Sequence, residues 1–185
     1  MKLELTSGLV RGAYYLPSAN FDRRPNPQDV EALIIHAISL PSGDFNGDDV
    51  LRFFTNSLPH QRHPWYKNIR WLRVSSHFFI RRTGRVYQFV PTLYRAWHAG
   101  QSECLGRADV NDFSIGIELE GSDQVVFTDA QYDSLLGLSR ELMNIYPAIR
   151  VDHIFGHEHI APGRKTDPGQ HFDWFRYLKT LAGKC

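Results

Sequence analysis

The sequence predicts an α/β fold built as one layered domain. A length of 185 residues fits a single domain of ~100–200 residues, so we treat residues 1–185 as one unit. Hydrophobic residues make up 42% of the chain and charged residues 22%, which is typical of a globular protein with a real core. Segments with the periodicity of strands intermix along the chain with segments that have the periodicity of helices. Elements that intermix in this way form layers about one core.

The first elements come from short local patterns. Residues 16–30 contain three prolines and predict an irregular arm over the surface. The apolar run EALIIHA at 31–37 has no helical period and predicts a buried strand. Residues 48–57 open with two aspartates and predict a helix. One face of that helix would carry Val50, Phe53 and Phe54.

A hairpin and an alternating strand follow. Two short β-rich runs joined by RRTG predict the hairpin over 73–90. Residues 112–121, DFSIGIELEG, alternate strictly and predict a strand. One face would carry Phe113, Ile115, Ile117 and Leu119, and the other Ser114, Gly116, Glu118 and Glu120. Gly116 would leave room on the polar face for another group to approach the sheet.

Two helices complete the prediction. Residues 128–147 begin with the capping-box pair Thr128 and Gln131, keep a 3.6-residue apolar period and end at Pro147. Residues 173–181 predict a last amphipathic helix.

Charge and cysteine content exclude several classes of protein. A net charge of +1 argues against a nucleic-acid or membrane partner. No apolar run is long enough for a signal peptide or a membrane span. The two cysteines, Cys104 and Cys185, make a poor disulfide framework. We therefore expect the protein to lie in the cytoplasm. Separately, we expect a monomer, although the sequence does not fix the oligomeric state.

Residues 156–169, GHEHIAPGRKTDPG, gather possible metal ligands on backbone that two prolines and three glycines should keep irregular. Because cysteine is scarce, a catalytic zinc with three protein ligands and one open position is a better hypothesis than a closed structural site. His157 and Asp167 form the strongest pair, since Pro168 restricts the backbone of Asp167. The alternative for Asp167 is a simple Asp-Pro-Gly turn.

The remaining histidines leave the third ligand open. His36 ends the strand at 31–37, where a sheet delivers side chains to a site. His153 and His159 compete with His157, and spacing alone does not decide among them. We expect His77 to be hydrogen-bonded inside the sheet and His60 and His63 to be loop residues.

Glu118 and two long connections are the other functional candidates. Glu118 is a half-buried carboxylate on the polar face of its strand, which suits a general base beside a metal; the alternative is an ion-paired strand residue. The connections at 55–72 and 94–112 are rich in Trp, His, Arg and Asn. They predict either the walls of a polar groove or plain surface loops.

Five ordered blocks between residues 34 and 169 carry a resemblance to a known family, which covers residues 8–178. They are IIHAISLPSGDF at 34–45, RVSSHFFIRRTG at 73–84, RAWHAG at 95–100, NDFSIGIELEG at 111–121 and GHEHIAPGRKTDPG at 156–169. Together they closely resemble the cytoplasmic AmpD-type 1,6-anhydro-N-acetylmuramoyl-L-alanine amidases, relatives of phage T7 lysozyme and the peptidoglycan-recognition proteins. The resemblance implies a central mixed β-sheet flanked by helices.

The resemblance also implies roles for individual residues. It places the ligands of one zinc ion per chain on His36, His157 and Asp167. It makes Glu118 the acid/base and Lys165 the catalytic lysine. It assigns substrate contacts to Arg73, Trp97, Arg107 and Ala161, against the alternative of solvent-facing arginines and a packed tryptophan.

The implied function is zinc-assisted hydrolysis of the amide bond between N-acetylmuramic acid and L-alanine in anhydro-muropeptides. In the family this activity recycles cell-wall fragments and lowers the signal that induces β-lactamase. The chain departs from the family pattern at Ala37, where relatives usually have Asn, and at Asp109, where they often have Arg. We expect these departures to affect preference for the anhydro sugar and not the zinc chemistry.

Three other functions remain for comparison. A non-catalytic muropeptide-binding module would lack a ligand, yet Lys165 and Asp167 are both present. An amidase acting on intact wall would often add a signal peptide or a wall-binding module. A zinc peptidase would need a motif such as HExxH, and HEHIA at 157–161 lacks its second histidine.

Overall fold

The computed structural model describes residues 1–45 and 47–183, and its centre is a six-stranded mixed β-sheet. The strands are β1 Lys2–Glu4, β2 Leu9–Arg11, β3 Tyr14–Tyr15, β4 Phe21–Arg23, β5 Ala32–Ile38, β6 Phe78–Ile80, β7 Val86–Gln88, β8 Tyr94–Ala96, β9 Glu103–Cys104, β10 Arg107–Ala108, β11 Ser114–Glu120 and β12 Ile154–Gly156. The helices are α1 Asp49–Phe54, α2 Asp129–Ile145, α3 His157–Ile160 and α4 Trp174–Ala182. Short 3-10 turns cover Pro64–Asn68, Val110–Asp112 and Val151–His153.

The order of strands in the sheet is β12-β5-β11-β6-β7-β3. The first four run parallel, β7 is antiparallel to β6, and β3 is parallel to β7. Both faces of a parallel sheet are normally covered, and its strands are correspondingly apolar. The predicted strand EALIIHA is confirmed as β5, whose residues Ala32 to Ile35 are fully buried. The α/β class with a mixed sheet is confirmed.

Helices cover one face of the sheet. The inward residues of β11 pack there against the apolar residues of α2 and α4; the cluster includes Ile115, Ile117, Leu119, Leu135, Leu138, Leu142 and Tyr177. The capping box of α2 is confirmed, because Thr128 accepts from the Gln131 backbone and the Gln131 side chain accepts from Thr128. Across the sheet, the buried residues Val50, Phe53 and Phe54 of α1 form a cluster with Phe79 of β6 and with Phe89, which follows β7. The predicted apolar face of α1 is therefore confirmed.

Phe113 does not share the face of Ile115, as the alternation predicted. It ends the 3-10 turn Val110–Asp112 with φ −127° and ψ 17°, which breaks the period of two before the strand begins. Its ring packs instead with Ala32 and Ile34, on the opposite face of the sheet. The strand prediction is confirmed from Ser114 onward and is wrong for Phe113.

Three other expectations change in detail. The arm at 16–30 contains β4, which pairs with β8. The hairpin strands cover only Phe78–Ile80 and Val86–Gln88. The segment at 156–169 is not wholly irregular, because α3 forms one helical turn directly after β12.

Two remaining expectations concern cysteine and the membrane. Cys104 is a free, partly exposed thiol, and Cys185 lies outside the described residues. Among the described helices, none combines the length and the apolar character needed to cross a membrane.

Candidate metal centre and active site

Three neighbouring parallel strands deliver the candidate site at one edge of the sheet. His36 lies near the end of β5, Glu118 is its register partner in β11, and His157 follows the last residue of β12. Side chains at the carboxyl ends of parallel strands meet at one edge, where ligands of open α/β sheets bind. Asp167 comes from the loop after α3, whose position is fixed by the Glu158 N–H donating to the Asp167 carbonyl at 2.9 Å.

Three donor atoms converge at this edge. The Nδ1 atoms of His36 and His157 are 3.0 Å apart, and each lies 3.1 Å from Oδ2 of Asp167. A tetrahedral metal with bonds of ~2.0–2.1 Å has ligand-to-ligand edges of about 3.3 Å, close to this triangle. These three residues could therefore hold a metal ion.

Proton placement supports the same conclusion. Burial and the two neighbouring imidazoles act in opposite directions on Asp167; the imidazoles prevail and hold its pKa well below the usual range. Burial lowers the pKa of His36 to about 4. Asp167 is then ionised. If both Nδ1 atoms carry a hydrogen, the two N–H groups of His36 and His157 face and repel each other. If either Nδ1 is bare, its lone pair faces the Asp167 carboxylate oxygen, which also repels it. A cation at the centre of the triangle removes that repulsion.

The orientation of His157 is set by the backbone. Its Nε2 lies 3.1 Å from the carbonyl oxygen of Ala99. A carbonyl only accepts hydrogen bonds, so Nε2 carries the hydrogen and Nδ1 presents a bare lone pair to the triangle when the ring is neutral.

Glu118 lies beside the triangle without a compensating partner. Its side chain is 8% exposed, and Oε2 has no hydrogen-bond partner among the described residues. Burial, followed by the charge of Asp167, raises its pKa well above the usual range, while Lys165 opposes the shift. A buried carboxylate with a raised pKa beside a possible metal site is suited to carry protons.

A cavity of about 660 Å³ opens over these groups. Its polar lining residues include Glu118, His157, Lys165 and Asp167, and its apolar lining residues include Leu40, Phe53, Phe54, Ile69, Leu72 and Val74. The groove walls predicted from the two long connections are confirmed, because Trp65 and Trp97 both line the cavity. The space has the size and mixed polarity of a small-molecule site.

The four expected substrate contacts do not all reach this cavity. Trp97 lines it, whereas Arg73 does not, although its sequence neighbours Leu72 and Val74 do. The Arg73 guanidinium donates instead to the carbonyls of Arg70 and Leu72. Ala161 is buried at the end of α3, where its carbonyl accepts from the Lys165 backbone at 3.1 Å. The structure does not bring Arg107 to the cavity.

Arg107 has other partners. It donates to Asp29 at 2.6 Å and to Glu31, and its guanidinium lies 4.0 Å over the Phe113 ring. The hydrogen bond to Asp29 is the main cause of its raised pKa. These contacts give Arg107 a structural position on the side of the sheet that carries Phe113.

The other histidines separate clearly from the triangle. His77 is buried and accepts from the Gly116 N–H at 3.1 Å, so its prediction as a sheet-bonded residue is confirmed. His153 contacts the Glu31 carbonyl, and His159 accepts from the Gly156 N–H and packs against Trp174. Of the three histidines that spacing left open, His157 alone joins His36.

Sequence reasoning missed His98. Its Nδ1 lies 3.0 Å from Nε2 of His36, behind the metal triangle. The available signals were the RAWHAG block and Gly116, because a Cβ built at Gly116 would lie 2.5 Å from Cγ of His98. The group that approaches the sheet at Gly116 is therefore the His98 ring.

Comparisons with known proteins agree with this geometry. Residues 26–170 match the family model described as N-acetylmuramoyl-L-alanine amidase. The 1,6-anhydro-N-acetylmuramyl-L-alanine amidase AmpD of Haemophilus influenzae is 49% identical over 178 residues, covering 96% of this chain and 97% of the relative.

Solved structures agree as well. A crystal structure of a selenomethionine AmpD derivative superposes with a TM-score of 0.93 at 46% identity, covering 98% of this chain and 99% of the other. The amidase AmiD of Escherichia coli, in complex with anhydro-N-acetylmuramic acid-L-Ala-D-γ-Glu-L-Lys, superposes with a TM-score of 0.63 at 28% identity. That match covers 94% of this chain and 60% of AmiD.

Proposed function

Since this chain belongs to the N-acetylmuramoyl-L-alanine amidase family, we propose that it is a zinc-dependent enzyme that hydrolyses the bond between 1,6-anhydro-N-acetylmuramic acid and L-alanine in muropeptides. One observation carries the proposal: two imidazole nitrogens and a carboxylate oxygen converge beside a cavity that is also lined by Glu118, a buried carboxylate with an unpaired oxygen. The substrate class is supported by the names of the AmpD relative and of the AmiD complex.

The donor set favours zinc. Two imidazole nitrogens and one carboxylate oxygen are typical of a catalytic zinc site, which leaves a fourth position open, whereas Mg²⁺ and Ca²⁺ prefer oxygen ligands. His36, His157 and Asp167 would hold the ion, one per chain. When bound, zinc lowers the pKa of water from ~15.7 toward ~7 and makes hydroxide available at neutral pH.

Glu118 would then move the protons. Its unpaired Oε2 accepts the proton of the attacking water, and the same carboxyl passes it to the departing alanine nitrogen. The parallel strand β11 holds this carboxyl beside His36, so the base needs no rearrangement to reach the reacting centre. A catalytic group that the backbone holds in the required orientation lowers the entropic part of the reaction barrier.

Lys165 would stabilise the charge that develops on the carbonyl oxygen. It lines the cavity, and its charge influences both His36 and Glu118. A well-placed donor of this kind contributes roughly 3–4 kcal/mol in comparable acyl-transfer sites.

Substrate contacts follow the walls of the cavity. We assign Trp97 to the face of a sugar ring. We assign Arg73, which follows the lining residue Leu72 in the sequence, to a peptide carboxylate, which an arginine binds through two hydrogen bonds. Ala161 would contribute through the backbone at the end of α3. Arg107 would have to leave Asp29 and Glu31 to take part, so we assign it a structural role.

The cellular setting is proposed from the same family. An amidase of this specificity would recycle anhydro-muropeptides in the cytoplasm as a single-domain monomer. By removing them, it would lower the signal that induces β-lactamase. Fractionation of cells and light scattering of the purified protein test the location and the monomer.

Product analysis tests the main proposal. The protein is incubated separately with an anhydro-muropeptide and with intact sacculi, and the products are identified by mass spectrometry. We expect free anhydro-N-acetylmuramic acid and free peptide from the first substrate and little release from the second. Cleavage between two amino acids would indicate a peptidase, binding without cleavage would indicate a recognition module, and equal release from sacculi would indicate a wall amidase.

A further inference from the structure

We propose that the segment Trp97–Gly100 is a bracket that orients both imidazole ligands of the metal site, with His98 as the positioning residue for His36. This inference rests on the proposed metal site and concerns residues that do not touch the metal. Metal-ligating histidines usually donate their second nitrogen to a partner that fixes the tautomer and the plane of the ring. In this chain both partners come from one short segment.

The first half of the bracket is a chain of hydrogen bonds that starts at His36. Nδ1 of His36 belongs to the metal triangle, so the ring hydrogen lies on Nε2, which points at Nδ1 of His98 at 3.0 Å. Nδ1 of His98 must then accept. The hydrogen of His98 consequently lies on Nε2, which is 3.2 Å from the hydroxyl of Ser114.

Ser114 is the last side chain in this series of hydrogen bonds. Its hydroxyl is 2.6 Å from the carbonyl of Val110, and a carbonyl only accepts. The hydroxyl hydrogen is therefore directed at Val110, which leaves the oxygen lone pairs for His98. With Nδ1 of His36 bare, a single placement of hydrogens satisfies every contact from His36 to Val110, and it is the placement that a metal ligand requires.

Gly116 supplies the space for the His98 ring. A Cβ at this position would lie 2.5 Å from Cγ and 2.7 Å from Nδ1 of His98. Real Cβ atoms essentially never approach that closely, so any other residue at 116 would displace the imidazole. The ring thus packs closely against β11 at Gly116 and contacts His36 of β5.

The second half of the bracket is the carbonyl of Ala99. It accepts from Nε2 of His157 at 3.1 Å and from the Arg164 guanidinium at 2.6 Å. The Asn111 side chain fixes the segment, since its Oδ1 accepts from the backbone N–H groups of His98 at 3.0 Å and Ala99 at 2.8 Å. The Asn111 side chain therefore fixes both groups that bond to the Nε2 atoms of the histidine ligands: His98, which contacts His36, and the Ala99 carbonyl, which contacts His157.

Zinc affinity is the readout that separates positioning from general packing. We would measure zinc binding by competition with a chromogenic chelator for the wild type, His98→Ala, His98→Asn and Ser114→Ala. His98→Ala removes the acceptor and should weaken zinc binding by ~10–100-fold, the usual effect of losing such a partner. His98→Asn retains an acceptor near the position of Nδ1 and should recover most of the affinity. Ser114→Ala should weaken binding by severalfold.

Ser139→Ala is the matched control. Ser139, like Ser114, is fully buried and has a hydroxyl contact of 2.6 Å, to Tyr177, but it lies on α2 among the helices that cover the other face of the sheet. It should destabilise the protein to a similar degree and leave zinc affinity unchanged. Thermal unfolding of the metal-free variants measures that destabilisation separately.

Imidazole nitrogen NMR of the wild-type protein gives a second, independent readout. We expect His98 to carry its hydrogen on Nε2. A hydrogen on Nδ1 of His98, wild-type affinity in His98→Ala, or equal losses in Ser114→Ala and Ser139→Ala would each overturn the bracket. If His98→Ala does not fold, the serine pair and the NMR spectrum decide.

His157→Ala serves as the reference for the metal site itself. Loss of zinc in that variant, combined with an unchanged His98→Ala, would overturn the bracket alone. Retention of zinc in His157→Ala would overturn the proposed metal site.

Discussion

Glu118 is the direct register partner of His36 across the parallel strands β11 and β5, so the two side chains leave the sheet on the same face. The two strands contact each other over seven consecutive register pairs, from Ser114 and Ala32 to Glu120 and Ile38. This backbone places the proposed base next to the first proposed ligand without any loop. It also buries the carboxylate, which explains why its pKa is raised.

Replacing a ligand should remove the metal and the activity together. His157→Ala or Asp167→Ala leaves two donors of three, so the purified variants should contain little zinc and should not hydrolyse anhydro-muropeptide. Elemental analysis and product assays check both. His153→Ala and His159→Ala are the controls, because these histidines bond to Glu31 and Gly156 instead. Full zinc occupancy in the Asp167 and His157 variants would disprove the ligand assignment.

Replacing Glu118 should separate chemistry from binding. Glu118→Gln keeps the shape of the side chain and removes its ability to take a proton. Turnover should fall by ~10²–10⁴-fold, the usual contribution of a general base. Zinc content and muropeptide affinity, measured by elemental analysis and calorimetry, should stay near the wild type. A loss of turnover of less than severalfold would make Glu118 a structural residue.

The same substitution should stabilise the metal-free protein at neutral pH. Because the pKa of Glu118 is raised in the folded state, the folded protein holds more protons than the unfolded one between the two pKa values. The free energy of unfolding therefore decreases as pH rises through that window. Glu118→Gln cannot ionise and therefore avoids this loss of stability. Each kcal/mol by which the free energy of unfolding increases raises Tm by ~2–4 °C.

Thermal unfolding at several pH values checks this effect. The difference between Glu118→Gln and the wild type should be largest above the folded pKa and should vanish below pH ~4, where Glu118 is protonated in both states. An equal difference at every pH would point to a packing effect of the substitution and not to ionisation.

The elements that the sequence predicts well are those with local causes. The strand β5, the alternation of β11 from Ser114 onward and the capping box of α2 depend on periodicity and on hydrogen bonds within a few residues. The failures lie at the junctions between elements, where the periodicity of the sequence changes. Phe113 changes face because a 3-10 turn precedes β11, and α3 forms one turn directly after β12.

The site residues also fall into those that the sequence suggests and those that only the fold identifies. The residue types at 36, 118, 157 and 167 suggest metal and proton chemistry, but spacing leaves three histidines open in the last segment. Strand order decides among them, because β12 lies beside β5 and brings His157 to His36. The role of His98 depends on packing against Gly116 from a loop 18 positions earlier, and no local pattern encodes that contact.

Trp97 and Arg107 should respond differently to substitution. Trp97 lines the cavity, so Trp97→Ala should raise KM by about fivefold, the equivalent of about 1 kcal/mol for one aromatic contact. Arg107 is partly exposed and paired with Asp29 and Glu31, so Arg107→Ala should leave KM unchanged and cost less than about 1 kcal/mol of stability. Steady-state kinetics and unfolding check the pair. A raised KM in Arg107→Ala would mean that its ion pairs open for substrate.

Lys165 should act on the transition state and not on the bound substrate. Its ammonium lines the cavity and opposes the rise in the pKa of Glu118, so it lies near the reacting centre. Lys165→Ala should lower kcat by ~10²–10³-fold, the cost of losing one oxyanion donor, while KM stays nearly constant. Lys179→Ala, on α4, is the control for loss of a surface lysine.

The acidic limb of the pH profile gives Lys165 a second signature. The Lys165 ammonium lowers the pKa of Glu118, so removing it raises that pKa. Glu118 then loses its proton only at higher pH, and the acidic limb of the activity profile should shift to higher pH. Lys165→Arg restores the positive charge and should return the acidic limb to its wild-type pH. It should not restore kcat, because the planar guanidinium of arginine does not fit a site shaped around a compact ammonium. A lysine that merely anchors a substrate carboxylate would raise KM in Lys165→Ala and spare kcat, and that result would move Lys165 from catalysis to binding.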